Sequence, residues 1–122
     1  MARSGSSGKT AGVSDSGTSV RDAGGRYVIS VNDADAGFVE YFDEGEHRVF
    51  LHTEVAPEFG GRGLAGVLVR AALDDVRAQG RRVVNFCPYI KVFVQKNDDW
   101  NDLLDRPTPA VLEVLRQHTG EA

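Results

Sequence analysis

The chain has one cysteine, Cys87, so an internal disulfide is excluded. A lone thiol suits a reducing compartment, and a cytoplasmic location is expected. Long apolar runs are also missing. Nothing approaches the ~20 residues that span a bilayer, and the polar N-terminus lacks the apolar centre of a signal peptide, so no membrane partner is expected. There is no basic run. Fourteen Lys and Arg against eighteen Asp and Glu leave a formal charge of −4, which argues against nucleic acid as a partner, because that binding rests on clustered cations. Residues 1–25 are poor in large apolar side chains, with only Val13 and Val20 beyond Met1. Such a segment buries too little surface to offset the entropy of ordering it and reads as a disordered Ser/Gly-rich tail. Ser4-Gly5-Ser6-Ser7-Gly8 has the composition of an engineered linker. Residues 26–118 are then expected to form a single domain.

What is present begins with alternation. Residues 26–31 alternate and are rich in β-branched side chains, which reads as a strand. Residues 32–37 form a polar turn, and residues 38–43 a second strand with Phe38, Glu40 and Phe42 on one face and Val39 and Tyr41 on the other. Glu44-Gly45-Glu46 turns the chain into a third strand, residues 48–55, completing an antiparallel meander. The period then changes. Apolar residues at 64, 68, 72 and 76, with Val67 and Ala71 beside them, predict a helix over 64–79 that ends before Gly80. Residues 82–86 follow as a strand, expected parallel to the third because a crossover helix precedes it. Residues 89–96 have strand propensity, but Pro88 at a first helical position favours a helix. A polar connection holding Trp100 leads to Thr108-Pro109, the cap and first turn of a final helix reaching about Gln117. Its apolar residues Val111, Leu112, Val114 and Leu115 suit either covering the domain or meeting a second copy, so a monomer or weak homodimer is expected. The fold class is α/β with a mixed sheet, an antiparallel meander followed by a β-α-β crossover.

Four glycines, Gly60, Gly61, Gly63 and Gly66, fall within seven residues between the third strand and the first helix. A tight turn alone does not need so many, and each costs entropy. Gly61-Arg62-Gly63-Leu64-Ala65-Gly66 matches G-x-G-x-x-G, the dinucleotide fingerprint, yet three antiparallel strands precede it. The acidic residue expected about twenty positions on is also missing, since that strand offers only Asn85. A P-loop fails as well, because Val67 and Leu68 stand where Lys and Ser or Thr belong. What survives is an anion site made of backbone N–H groups and the positive end of a helix.

Together with the segment His52-Thr53-Glu54-Val55-Ala56-Pro57-Glu58-Phe59 and the later Cys87-Pro88-Tyr89, this turn resembles the GCN5-related N-acetyltransferase superfamily, in its small compact branch. The resemblance covers about residues 27–104. It implies the acyl-CoA N-acyltransferase fold, acetyl-CoA as donor, no metal, and an amine acceptor that is a small molecule or a protein. The superfamily's pyrophosphate signature is Q/R-x-x-G-x-G/A. Gly63 and Ala65 fill its last two fixed positions, and Gly60 stands where Gln or Arg belongs, so backbone groups must do most of the holding. The cofactor-binding residues implied are Val55, Gly60, Gly61, Arg62, Gly63, Leu64, Ala65, Gly66 and Asn85, with the pantetheine arm between residues 52–55 and 83–86.

Acetyl transfer needs a base for the amine proton and an acid for the leaving thiolate. His52 and Glu54 share a strand face; either suits the base, and either suits a merely structural role. Cys87 ends a strand at the N-cap of a helix, where the dipole, and Lys91 one turn on, favour a thiolate that could attack or contact the thioester. A buried small hydrophobe is the other reading of Cys87. Tyr89 matches by position the tyrosine that serves many relatives as general acid, and an aromatic core role suits it equally. Asn85 could hydrogen-bond acceptor or pantetheine, and Trp100 reads as packing. Larger relatives place acceptor-binding helices after the first strand, where this chain has a short turn. A non-catalytic acyl-CoA-binding module acting through a protein partner is therefore the alternative.

Overall fold

The computed structural model describes residues 17–118. One five-stranded sheet carries the fold, in the order β1 (Thr18–Asp22), β2 (Arg26–Val31), β3 (Ala34–Glu44), β4 (His47–Val55) and β5 (Arg82–Asn85). The first four strands are antiparallel neighbours, and β5 is parallel to β4. Between β4 and β5 run a 3-10 turn (Pro57–Phe59) and α1 (Leu64–Ala78); α2 (Pro88–Lys96), a second 3-10 segment (Asp98–Leu103) and α3 (Pro109–His118) follow. The expected β-α-β crossover, the helix after Pro88 and the final helix are all present. Thr108 caps α3 through its hydroxyl, which accepts from the Val111 N–H at 3.1 Å.

Two expectations are corrected. Residues 18–22 were expected in a disordered tail, yet they form β1, paired with β2 from Thr18↔Val31 to Asp22↔Tyr27. Distant partners hold it: Val20 packs on the core, Arg21 bonds Ser30 and Asp35, and Asp22 accepts from the Tyr41 hydroxyl at 2.6 Å. Local composition carries no trace of these. Residues 1–16 lie outside the described residues. The polar turn is also shorter than expected, since β3 begins at Ala34 rather than Phe38. Asn32 and Asp33 both have positive φ, 50° and 72°, and make a two-residue hairpin turn that Asn and Asp tolerate.

Both faces of the sheet are covered. Tyr27, Ile29, Val39, Phe50 and Val83 pack under α1 and α2, whereas Phe42, Val49 and Val84 pack under Val111 of α3. The pairing of β3 with β4 steps from Tyr41↔Phe50 to Glu40↔His52, so Leu51 is an extra residue in β4. This bulge reverses the alternation beyond it. Thr53 pairs with Val39 and shares the α1/α2 side, and His52 and Glu54, paired with Glu40 and Phe38, take the opposite side.

At the other end of the sheet a buried cation ties five elements together. Arg48 is 4 % exposed and makes a two-bond fork to Asp43 at 2.7 and 2.8 Å. It also donates to the Tyr27 hydroxyl at 2.7 Å, which donates in turn to Asp75 of α1 at 2.6 Å. Asp22 lies 3.5 Å away and the Tyr41 ring centre 4.1 Å. Burial, then the bond to Asp75, raises the Tyr27 pKa; burial and the bond to Asp22 push Tyr41 up to about 12.

Candidate functional site

The site begins where two parallel strands part. β5 follows β4 from His47↔Arg82 to Phe50↔Asn85, and the Phe86 N–H still donates to the Phe50 carbonyl at 2.8 Å. Beyond this, β4 continues to Val55 with β3 as its strand partner, while the other strand turns into α2. Asn85 directs that departure. Its side chain accepts from the Cys87 N–H and donates to the Cys87 carbonyl, both at 3.0 Å, bending the chain before Pro88 opens the helix.

Cys87 is the N-cap residue of α2, as expected, but its thiol makes no capping bond. It is 1 % exposed, packed in the main core, with Sγ 3.2 Å from Thr53 Oγ1. This contact links β4 to the start of α2 across the parting strands. The sequence reading missed Thr53. Its signal was alternation: once His52 and Glu54 are given to one face, Thr53 must occupy the other.

The glycine turn closes the same end of the sheet. Gly61 and Gly63 have φ of 81° and 72°, a region that L side chains enter only with strain. Gly63 is the N-cap of α1, with no side-chain cap, and the first turn contains no acidic residue. The first N–H groups of a helix have no partner within it, so residues 64–66 present them together with the positive end of the dipole. Arg62 is held over the Phe59 ring, 5.4 Å from its centre. Gly66 has no positive φ, and a Cβ there would sit 3.7 Å from the Tyr89 hydroxyl, an ordinary contact. Tyr89, 41 % exposed and stacked on Phe93, thus brings its hydroxyl to the first turn of α1.

His52 and Glu54 are joined at 3.1 Å, on the opposite face of β4 from Thr53. Both are exposed, and the His52 ring lies 6.1 Å from that of Phe38. The structure therefore gathers the glycine turn, Tyr89, Asn85, Cys87 and the Val55 end of β4 around the parting strands, with the two base candidates on the far side of the same strand. Trp100 packs as expected, donating to Asp74 at 3.0 Å. Glu46, His47 and Asp105 each place a donor atom within 4.8 Å of the others. Asp105 is already held by Arg82 at 2.8 Å and His47 at 2.9 Å, which lowers its pKa to about 2; the group pins β5 to the segment after it.

A sequence profile described as "GCN5-related N-acetyl-transferase" matches residues 26–103, more than half of the chain. The chain belongs to the GCN5-related N-acetyltransferase family. Within it, the chain is similar to Protein NATD1 of Bos taurus, 40 % identical over 65 residues, which are 53 % of this chain and 50 % of that protein. It thus spans half the length of that relative. The solution structure of a GCN5-like protein from Staphylococcus aureus superposes with a TM-score of 0.58, covering 78 % of this chain and 95 % of that one. At 21 % identity this likeness shows the N-acetyltransferase fold alone. No helix among the described residues is long and apolar enough to cross a membrane.

Proposed function

We propose that this chain binds acetyl-CoA and transfers its acetyl group to an amine. The observation that carries the reading is the parting of β4 from β5 beside an α1 N-terminus that has neither a side-chain cap nor an acid. The N–H groups of residues 64–66 and the turn at 60–63 would hold the pyrophosphate. The pantetheine arm would lie between residues 51–55 and the Asn85–Cys87 bend, where β4 has a strand partner on one side only. Tyr89, with its hydroxyl at the first turn of α1, is the acid for the departing thiolate. Glu54, paired with His52, is the base for the amine. As the amine nitrogen bonds the carbonyl carbon, the C–S bond breaks, the nitrogen proton goes to Glu54 and the sulfur receives the Tyr89 proton. Cys87 borders the arm through Thr53. The setting is a reducing cytoplasm, which suits the lone thiol.

Titration calorimetry with acetyl-CoA and coenzyme A tests the binding step. Loss of amine acetylation in Tyr89→Phe and Glu54→Gln, with acetyl-CoA affinity kept, tests the chemistry. Intact-mass spectrometry after incubation with acetyl-CoA reports whether Cys87 becomes acetylated. A second reading, a non-catalytic acyl-CoA-binding module, is favoured by the two-residue turn at Asn32 and Asp33, which leaves no helix between β2 and β3. Binding without turnover across a panel of amines would select it.

A further inference from the structure

Next to Glu54 the sheet surface contains a second feature that the reading above does not use. A hollow of about 200 Å³ is lined by Arg26, Asp35, Gly37, Phe38 and Glu54, among others. The lining side chains come from three adjacent strands in register. Phe38 of β3 pairs with Glu54 of β4 and with Val28 of β2, and Arg26 stands two residues before Val28 on the same face. Gly37 lets the backbones of β3 and β4 approach closely beside the hollow: a Cβ there would fall 2.6 Å from the Glu54 carbonyl.

The charges are arranged asymmetrically. The Asp35 carboxylate is occupied, accepting from Ser30 at 2.9 Å and facing Arg21 at 3.3 Å. The Arg26 guanidinium carbon lies 4.0 Å from the centre of the Phe38 ring, and no carboxylate among the described residues lies within ion-pairing distance of it. A planar guanidinium stacked on a ring keeps its in-plane N–H fork free for a planar anion, and a carboxylate matches that fork. Glu54, on the same wall, supplies the opposite charge and belongs to the stretch of β4 that β5 has left. At about 200 Å³ the hollow suits a small molecule rather than a folded partner.

We propose that this hollow is the acceptor site and that its substrate class is a small amine carrying a carboxylate, an α-amino acid or close analogue, with the carboxylate on Arg26 and the amino group toward Glu54. The assignment rests on the acetyltransferase reading for its chemistry, but its binding step can be measured without turnover. Phe38 would be the floor of the site and Arg26 the residue that selects for the carboxylate.

The test is a titration of the isotope-labelled full chain with glycine and L-alanine, each against its primary amide, followed by amide NMR shifts, with coenzyme A titrated separately. Amino acids are expected to shift Gly37, Phe38 and Glu54 in the millimolar range, and the amides to bind roughly tenfold or more weakly, the scale of one lost charge-assisted contact. Arg26→Gln should erase this preference, and Arg26→Lys should restore part of it. In acetylation assays Arg26→Gln should raise KM for the amino acid while leaving kcat within a few-fold. Equal shifts from acid and amide, or none at these three residues, would overturn the assignment. If coenzyme A fails to bind while the amino acid preference stands, the acyl-CoA reading falls and the hollow remains an amino-acid site.

Discussion

The bare N-terminus of α1 yields a prediction in which stability and binding move in opposite directions. Helices generally gain about 0.3–1 kcal/mol from an acidic residue in the first turn, yet α1 has none there. Ala65 is the second residue of the helix and half-buried. Ala65→Glu keeps a strong helix former and adds the missing charge, so the free protein should be stabilised and its Tm should rise by about 2–6 °C. A pyrophosphate on the same N–H groups would then face a carboxylate. Each unit-charge pair at about 5 Å costs ~0.8 kcal/mol in bulk water and ~3 kcal/mol at the effective dielectric of a protein surface. Two phosphate charges bring the penalty to at least about 1.6 kcal/mol, roughly fifteenfold in Kd. Ala65→Gln, equal in size and uncharged, is the control and should stay within a few-fold of the parent. Calorimetric titration with acetyl-CoA at low and moderate salt reads the affinity, and the gap between Glu and Gln should narrow as salt rises. If Ala65→Glu binds acetyl-CoA as tightly as Ala65→Gln, the phosphates are not held at this helix end and the site must be drawn elsewhere.

The other predictions concern the frame that holds the site. Arg48→Ala would leave Asp43 and the Tyr27 hydroxyl without their buried partner. The expected loss is about 3–5 kcal/mol, a large share of a domain's stability and visible as a fall in Tm of about 15 °C or more; a loss below about 1 kcal/mol would show that the cluster is incidental. Gly37→Ala drives a Cβ into the Glu54 carbonyl and should cost about 1–3 kcal/mol. Gly66→Ala, whose new contacts are ordinary at 3.7 and 3.9 Å, should instead gain about 0.5–1 kcal/mol. Because Tyr41 is raised to about 12 in the fold against 10.0 for the free side chain, its neutral form contributes stability below pH 10. That stability is lost as the pH climbs from 10 toward 12. Phenolate absorbance and circular dichroism followed together should change as one transition; ionisation of Tyr41 near pH 10 in a chain that stays folded would contradict this.

How much of this was readable beforehand depends on whether the cause was local. The α1 stripe at 64, 68, 72 and 76, the Thr108 cap and the Pro88 start are encoded within a few residues of where they act, and each expectation held. Pro88 even outweighed the β-branched run that follows it, because a fixed φ at the first helical position is a stronger local constraint than side-chain propensity. β1 was hidden because its partners are Val31, Asp35 and Tyr41, far along the chain and unmarked in the composition of residues 18–22. At the site, the glycine turn announced its own conformation through residues that bear positive φ. Alternation set Thr53 opposite His52 and Glu54, but which of the two faces meets Cys87 depends on a bulge at Leu51, and a bulge leaves no motif. Arg26 and Phe38 were read simply as strand residues. Their pairing across two strands emerges only once the register is known.

That bulge has a consequence for how such a strand can change over generations. Residue identity after Leu51 is loosely constrained on the exposed side, where His52 and Glu54 meet water. Residue count beyond the bulge is not. Deleting Leu51 would only restore a regular ladder with Thr53 still opposite Val39, whereas deleting Thr53 would leave His52 or Glu54 opposite Val39, a polar side chain turned toward the core. Descendants of this chain can therefore vary their letters on the exposed side of β4, and even shed the bulge, but they must keep the count of residues that follow it.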